Sequence, residues 1–220
     1  MTRMFERLGK GQLALGLWAM TPGPELVEII GYVGMDFVIV DMMATTMGFE
    51  TVENMVRAAK LYNMTPLVRL QAYPWDNSQF DPRAPSEASR ALSTGAEGVL
   101  MSVDSPEMVA ALMPLAREYH REIWLEPLRR QRGERFQPQI ERLQSHTLII
   151  PVIESLGALE RIDKILSVEG LRAIFLGTGD LARVMGHPGD TFHPEMRALY
   201  QKIVSQAKEK GIMTILHPHA

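Results

Sequence analysis

Short continuous apolar runs, each followed by a longer amphipathic stretch, set what this 220-residue chain can fold into. The runs are 13–20 (LALGLWAM), 37–43 (FVIVDMM), 66–70 (PLVRL), 98–103 (GVLMSV), 121–126 (REIWLE), 148–154 (LIIPVIE), 173–177 (AIFLG) and 212–216 (IMTIL). Most lack strict alternation, the pattern of strands buried on both faces. Helical patterns lie between them at 25–34, 50–62, 86–94, 106–119, 156–167 and 194–210. In 50–62 the spacing puts Val52, Met55, Val56 and Ala59 on one face. Pro24, Ser86 and Ser105-Pro106 are start signals, and Gly34 and Gly211 are stops.

Alternating strands and helices imply parallel pairing through right-handed crossovers. About eight such units predict an α/β fold: a small, TIM-like (β/α)8 barrel forming one domain over residues 1–220. An open doubly wound sheet is the alternative, but no G-x-G-x-x-G follows the first run. The loop 73–85 (YPWDNSQFDPRAP) is the longest irregular stretch, and either rims the site or is plain surface.

Composition narrows the function. With 23 Lys+Arg against 26 Asp+Glu, the net charge of −3 provides no basic field for nucleic acid or an anionic membrane. Zero cysteines exclude disulfides, thiolate metal sites and a cysteine nucleophile. The N-terminal stretch is interrupted by charges and does not read as a signal peptide, and no run approaches a membrane span. A cytoplasmic protein is expected. The 15 methionines read as flexible core filler.

A parallel barrel places its chemistry where strands end. Asp41 ends FVIV, Arg69 lies in PLVRL, Glu126 follows REIWL, Glu154 ends LIIPVI, and Asp180 closes a G-T-G-D turn after AIFLG. His217 and His219 follow IMTIL. Glu154 and Asp180 end successive strands, and paired carboxylates facing one space share a proton or a cation. Oxygen donors suit Mg²⁺, Mn²⁺ or Co²⁺. Alternatively, each acid caps the helix that follows it. The Arg69 guanidinium offers a rigid donor fork to a carboxylate or enolate, or forms an ion pair with Asp41 or Glu154. His217 is either a base or ligand, or part of a frayed tail. His187 and His193 read as solvated loop residues.

The order Gly16-Leu17-Trp18, Asp41 at a strand end, Pro66-Leu67-Val68-Arg69, Pro151-Val152-Ile153-Glu154, Gly177-Thr178-Gly179-Asp180-Leu181-Ala182, Met185-Gly186 and His193-Pro194-Glu195 resembles the HpcH/HpaI aldolase superfamily, the class II pyruvate-dependent aldolases. The resemblance spans nearly the whole chain and is most specific over 152–195. It implies a TIM-like barrel and a divalent metal held by Glu154 and Asp180, the metal chelating a 2-oxo acid such as pyruvate. It implies that Arg69 stabilises the enolate, with Trp18, Gly177, Thr178 and Gly179 around the substrate. The implied reaction is reversible aldol cleavage or addition, a lyase activity, with an aldehyde or ketone as second substrate.

Several positions depart from the family pattern. The usual D-x-E-H reads Asp41-Met42-Met43-Ala44, so the acid/base histidine is alanine. The glutamine normally two residues before the metal glutamate is Val152. A glycine- and arginine-containing segment is replaced by EIWLEPLRRQRGERF. Substitutes for proton transfer are His217, Glu126, Asp41 through water, Tyr73 and Asp76. Counted by the family, IMTIL is the seventh strand and 121–126 a connection, which leaves the last strand and helix absent; a homo-oligomer is expected. An isomerase or decarboxylase using the same enolate is open, and two other readings remain. One is a citrate-lyase or acyl-CoA-type lyase, with Arg129, Arg130 and Arg132 near a nucleotide. The other is a degenerate member that binds a carboxylate or a protein partner without turnover.

Overall fold

The computed structural model describes residues 2–71, 81–118 and 146–217. In chain order its elements are α1 (Arg3–Gly9), β1 (Gly16–Ala19), α2 (Pro24–Tyr32), β2 (Phe37–Asp41), α3 (Phe49–Leu61), β3 (Thr65–Arg69), α4 (Ala84–Ser93), β4 (Gly98–Ser102), α5 (Pro106–Leu112), α6 (Leu115–Glu118), β5 (Leu148–Ile153), α7 (Leu156–Glu160), α8 (Ile162–Ile165), β6 (Ala173–Leu176), α9 (Thr178–Val184), α10 (Pro194–Glu209) and β7 (Met213–Leu216). The strands follow one another in sheet order from β1 to β7. Described pairings are parallel: β1 with β2, β2 with β3, β5 with β6, and β6 with β7. Seven of the eight apolar runs are thus strands. The eighth, 121–126, lies outside the described residues, as do Glu126, Arg129, Arg130, Arg132, Tyr73, Asp76, His219 and most of the loop 73–85.

β4 and β5 are neighbours in the sheet. Leu148 N–H donates to Glu97 O at 2.9 Å, and Val103 N–H donates to Val152 O at 3.3 Å. That adjacency agrees with the family count, in which IMTIL supplies the seventh strand.

Two compact units divide the chain. The first carries β1, β2, β3 and the start of β4. Its strands β2 and β3 are buried along almost their whole length. Helix α3 covers them with the expected face, where Val52, Met55, Val56 and Ala59 are all buried. Helix α1 was not expected from the sequence; it buries Met4, and side-chain bonds also hold it. Arg3 donates to Met35 O at 3.0 Å and Tyr62 O at 2.7 Å, satisfying carbonyls at the ends of α2 and α3. Arg7 Nε meets buried Asp36 Oδ1 at 2.9 Å, while Asp36 Oδ2 accepts from Leu15 N–H.

The second unit carries the end of β4, β5 from Ile149 onward, and β6 and β7. Its core packs Ile153, Ile174 and Leu176 of the strands against Leu181, Met196 and Ile203 of the helices. Two expected helices are broken into pairs. Pro114 lacks the N–H that would continue α5, so 106–119 becomes α5 and α6. Arg161, at φ −111° and ψ 11°, separates α7 from α8.

Candidate active site

In the first unit, Asp41 and Arg69 end adjacent strands and are register partners. Met42 N–H donates to Arg69 O at 2.9 Å, which carries the pairing one residue further. Asp41 is only 2% exposed, so its charge needs partners. Its Oδ1 accepts from Met43 N–H at 2.8 Å and Ala44 N–H at 3.0 Å, and its carbonyl accepts from Thr45 Oγ1 at 2.5 Å. The carboxylate therefore anchors the loop 42–45. Trp18 lies two residues before the position opposite Asp41, on the same sheet face. The Arg69 guanidinium carbon stands 5.4 Å from the Trp18 ring centroid, a cation–π contact.

In the second unit, the β5–β6 register pairs Ile153 with Leu176, and β6–β7 pairs Leu176 with Leu216. Continued by one residue, Glu154, Gly177 and His217 form a row at three strand ends. Gly177 N–H donates to Ile153 O at 2.9 Å and holds the row together. A Cβ on Gly177 would sit 2.6 Å from Glu154 Cβ and 2.8 Å from Glu154 Oε2. No side chain fits there, so this glycine makes room for the glutamate. Ser102, ending β4, donates its hydroxyl to Glu154 Oε1. Beside it, Ser155 Oγ donates to Asp104 and accepts from Ala158 N–H at 3.1 Å, capping α7. The ring of His217 meets that of Phe175 edge-on at 5.9 Å.

Asp180 lies three residues past Gly177, in the first turn of α9. Its side chain is 40% exposed, and Oδ1 accepts from Arg183 at 3.0 Å. Exposed pairs of this kind are worth about 0–1 kcal/mol, too little to withhold the carboxylate from a divalent ion. Thr178 is buried, and its carbonyl accepts from the hydroxyl of buried Tyr200 at 3.2 Å, pinning the turn to α10. Burial pushes the Tyr200 phenol above its ordinary range.

The donors these residues offer are of the kind a hard divalent cation takes: Glu154 stands in a cradle that a side chain at 177 would fill, the Asp180 carboxylate is 40% exposed, and both donate through oxygen. Sequence reasoning missed Ser102, which stands inside the run GVLMSV and ends β4 only in the structure. It also read His187 and His193 as solvated. Both are partly exposed, and they also stack on one another, with ring centroids 3.6 Å apart.

Parallel strands in sequential sheet order with helices between them define a protein of the TIM-like α/β class. The family model for HpcH/HpaI aldolase/citrate lyase matches residues 14–219. The chain belongs to that family, and it is a lyase. A 2-keto-3-deoxy-L-rhamnonate aldolase of Escherichia coli K12 is 25% identical over 210 residues, 94% of this chain and 75% of the relative. A pyruvate aldolase of Rhizobium etli is 29% identical over 208 residues, covering 93% and 77%. Among solved structures, the citrate synthase SbnG superposes with TM-score 0.79 at 25% identity, over 98% of this chain and 81% of that one. An HpcH/HpaI aldolase from Desulfitobacterium hafniense has the same fold, at TM-score 0.77 and 22% identity over 98% and 82%.

Proposed function

We propose that the chain is a metal-dependent aldolase that forms an enolate from a 2-oxo acid such as pyruvate and joins it reversibly to an aldehyde or ketone. The observation that carries this reading is the cradle at Gly177, which reserves space for the Glu154 carboxylate at a strand end. Glu154 and Asp180 are the residues that would hold Mg²⁺, Mn²⁺ or Co²⁺. When bound, such an ion supplies Lewis acidity toward a ketone oxygen.

The chain's own residues do the rest. Arg69 offers a planar donor fork to the developing oxyanion, and its cation–π contact with Trp18 limits the orientations it samples. Gly177, Thr178 and Gly179 line the substrate carboxylate. His217 follows β7 in the row with Gly177 and transfers the proton that the family assigns to the missing histidine. Asp41 acts on the same proton through water while its Oδ1 holds the 42–45 loop. The protein works in the cytoplasm as a homo-oligomer, without a nucleic-acid or membrane partner. Among the described residues no helix is long and apolar enough to cross a membrane.

The test is exchange of pyruvate methyl protons into D₂O, followed by NMR with each metal and then with EDTA. Metal-dependent exchange that disappears in Glu154→Ala supports the proposal. Absence of exchange from a folded, metal-loaded protein overturns it.

A second reading rests on the superposition with a citrate synthase at TM-score 0.79. In it the same half-sites serve a citrate-type or acyl-CoA substrate. Binding of CoA thioesters in preference to pyruvate selects this reading. Binding of carboxylates without any exchange selects a protein that no longer turns over.

A further inference from the structure

We propose that His187, His193 and Glu195 form a second metal site, suited to a borderline cation such as Zn²⁺ and distinct from the carboxylates of Glu154 and Asp180. One ligand atom from each of the three residues lies within 4.8 Å of the other two. His187 Nε2 and Glu195 Oε2 are 2.8 Å apart. Two ligands on a tetrahedral centre with bonds of 2.0–2.1 Å stand about 3.4 Å apart. A cation replacing the proton between His187 and Glu195 therefore needs them to part by only about half an ångström. His193 Nδ1 accepts from Glu195 N–H at a long 3.4 Å, a weak contact that a metal bond easily replaces.

The imidazoles are stacked, 17° from parallel with centroids 3.6 Å apart.

The backbone holds these ligands in place before any cation arrives. Each histidine precedes a proline, Pro188 or Pro194, which confines it to extended backbone. His193 accordingly has φ −49° and ψ 139°. Gly186 and Gly189, at φ +86° and +80°, make the two bends of the loop. His187 N–H donates to Ala182 O at 2.7 Å, Asp190 N–H to His187 O at 3.0 Å, and Arg197 N–H to His193 O at 3.0 Å. Little conformational freedom remains to be lost on binding. With the Glu195 side chain 55% exposed and His187 22% exposed, solvent ions reach the cluster. Two imidazoles and one carboxylate select Zn²⁺ over Mg²⁺. The cation would clasp the loop after α9 to the first turn of α10.

The experiment uses the full chain carrying Glu154→Ala and Asp180→Ala, which silences the carboxylate pair. After chelator treatment, Zn²⁺ or Mg²⁺ is added, and bound metal and thermal melting are measured. The expected result is one equivalent of zinc per chain, a higher Tm with zinc, and no response to magnesium. Adding His187→Ala and His193→Ala abolishes both zinc effects. Where that variant fails to fold, His193→Gln alone, checked by circular dichroism, weakens zinc binding. No zinc uptake by the carboxylate variant overturns the proposal, as does undiminished uptake once the histidines are replaced.

Discussion

Glu154 and Gly177 stand opposite one another at the ends of β5 and β6, and the carboxylate occupies the space that a side chain at 177 would take. The glutamate's position is thus specified partly by an atom that its neighbour lacks. Gly177→Ala places a methyl group 2.8 Å from Oε2 and forces the carboxylate or the strand end to move. Such overpacking costs about 1–3 kcal/mol. We expect a folded protein with a lower Tm and sharply reduced divalent-metal affinity, read by calorimetry of metal binding.

Ser102 orients the same carboxylate from β4. A partner of this kind is worth about 10–100-fold in metal affinity. Ser102→Ala is expected to weaken metal binding by that range and to slow pyruvate proton exchange at subsaturating metal. Saturating metal restores most of the exchange. A fall in rate that metal cannot restore would place Ser102 on the substrate instead.

Asp41 has two roles that substitution can separate. Asp41→Ala removes the acceptor for Met43 and Ala44 N–H and leaves two amides without their partner. Bonds to a charged acceptor are worth about 1.5–3 kcal/mol each, so the loss of two predicts a destabilisation of about 3–6 kcal/mol in denaturant titration. Asp41→Asn keeps an oxygen in place and stays within about 1 kcal/mol of the parent. If the carboxylate also moves a proton through water, Asp41→Asn still slows D₂O exchange. Unchanged exchange in this variant would confine Asp41 to anchoring the loop.

Tyr200 sets an alkaline limit. Its phenol is raised by burial, so the unfolded chain ionises first as the pH climbs. Stability from this group is intact below about pH 10, the ordinary tyrosine value, and falls above it. Thermal melts between pH 8 and 11 should show a steeper loss in the parent than in Tyr200→Phe. Near pH 8 the variant is the less stable by about 0.5–1.5 kcal/mol, the worth of its hydrogen bond to Thr178 O.

Strands were legible wherever apolar runs were nearly continuous, because burial on both faces leaves few polar residues in the run. β2, β3 and β5 match the runs to within two residues at each end. The face of α3 was legible from spacing alone. Helix α1 was not, because Thr2, Arg3 and Arg7 hold it by bonds to residues 29 to 95 positions away. No local pattern encodes such partners. Polar residues ending apolar runs marked Asp41, Arg69 and Glu154, but Ser102 escaped because an uncharged hydroxyl raises no question of compensation. The stacking of His187 on His193 was hidden for another reason: two bends, each set by a glycine, bring together rings six residues apart.

The loop at 42–45 is fastened by the Asp41 carboxylate and by one hydroxyl from Thr45, and the carboxylate grips main-chain amides. The side chains of Met42, Met43 and Ala44 are therefore bystanders to the loop's shape. This part of the rim behaves as a cassette whose contour is inherited while its chemistry is open to exchange. Met43→Glu with Ala44→His would refit the cassette with the family's usual acid and base and leave its fastenings untouched.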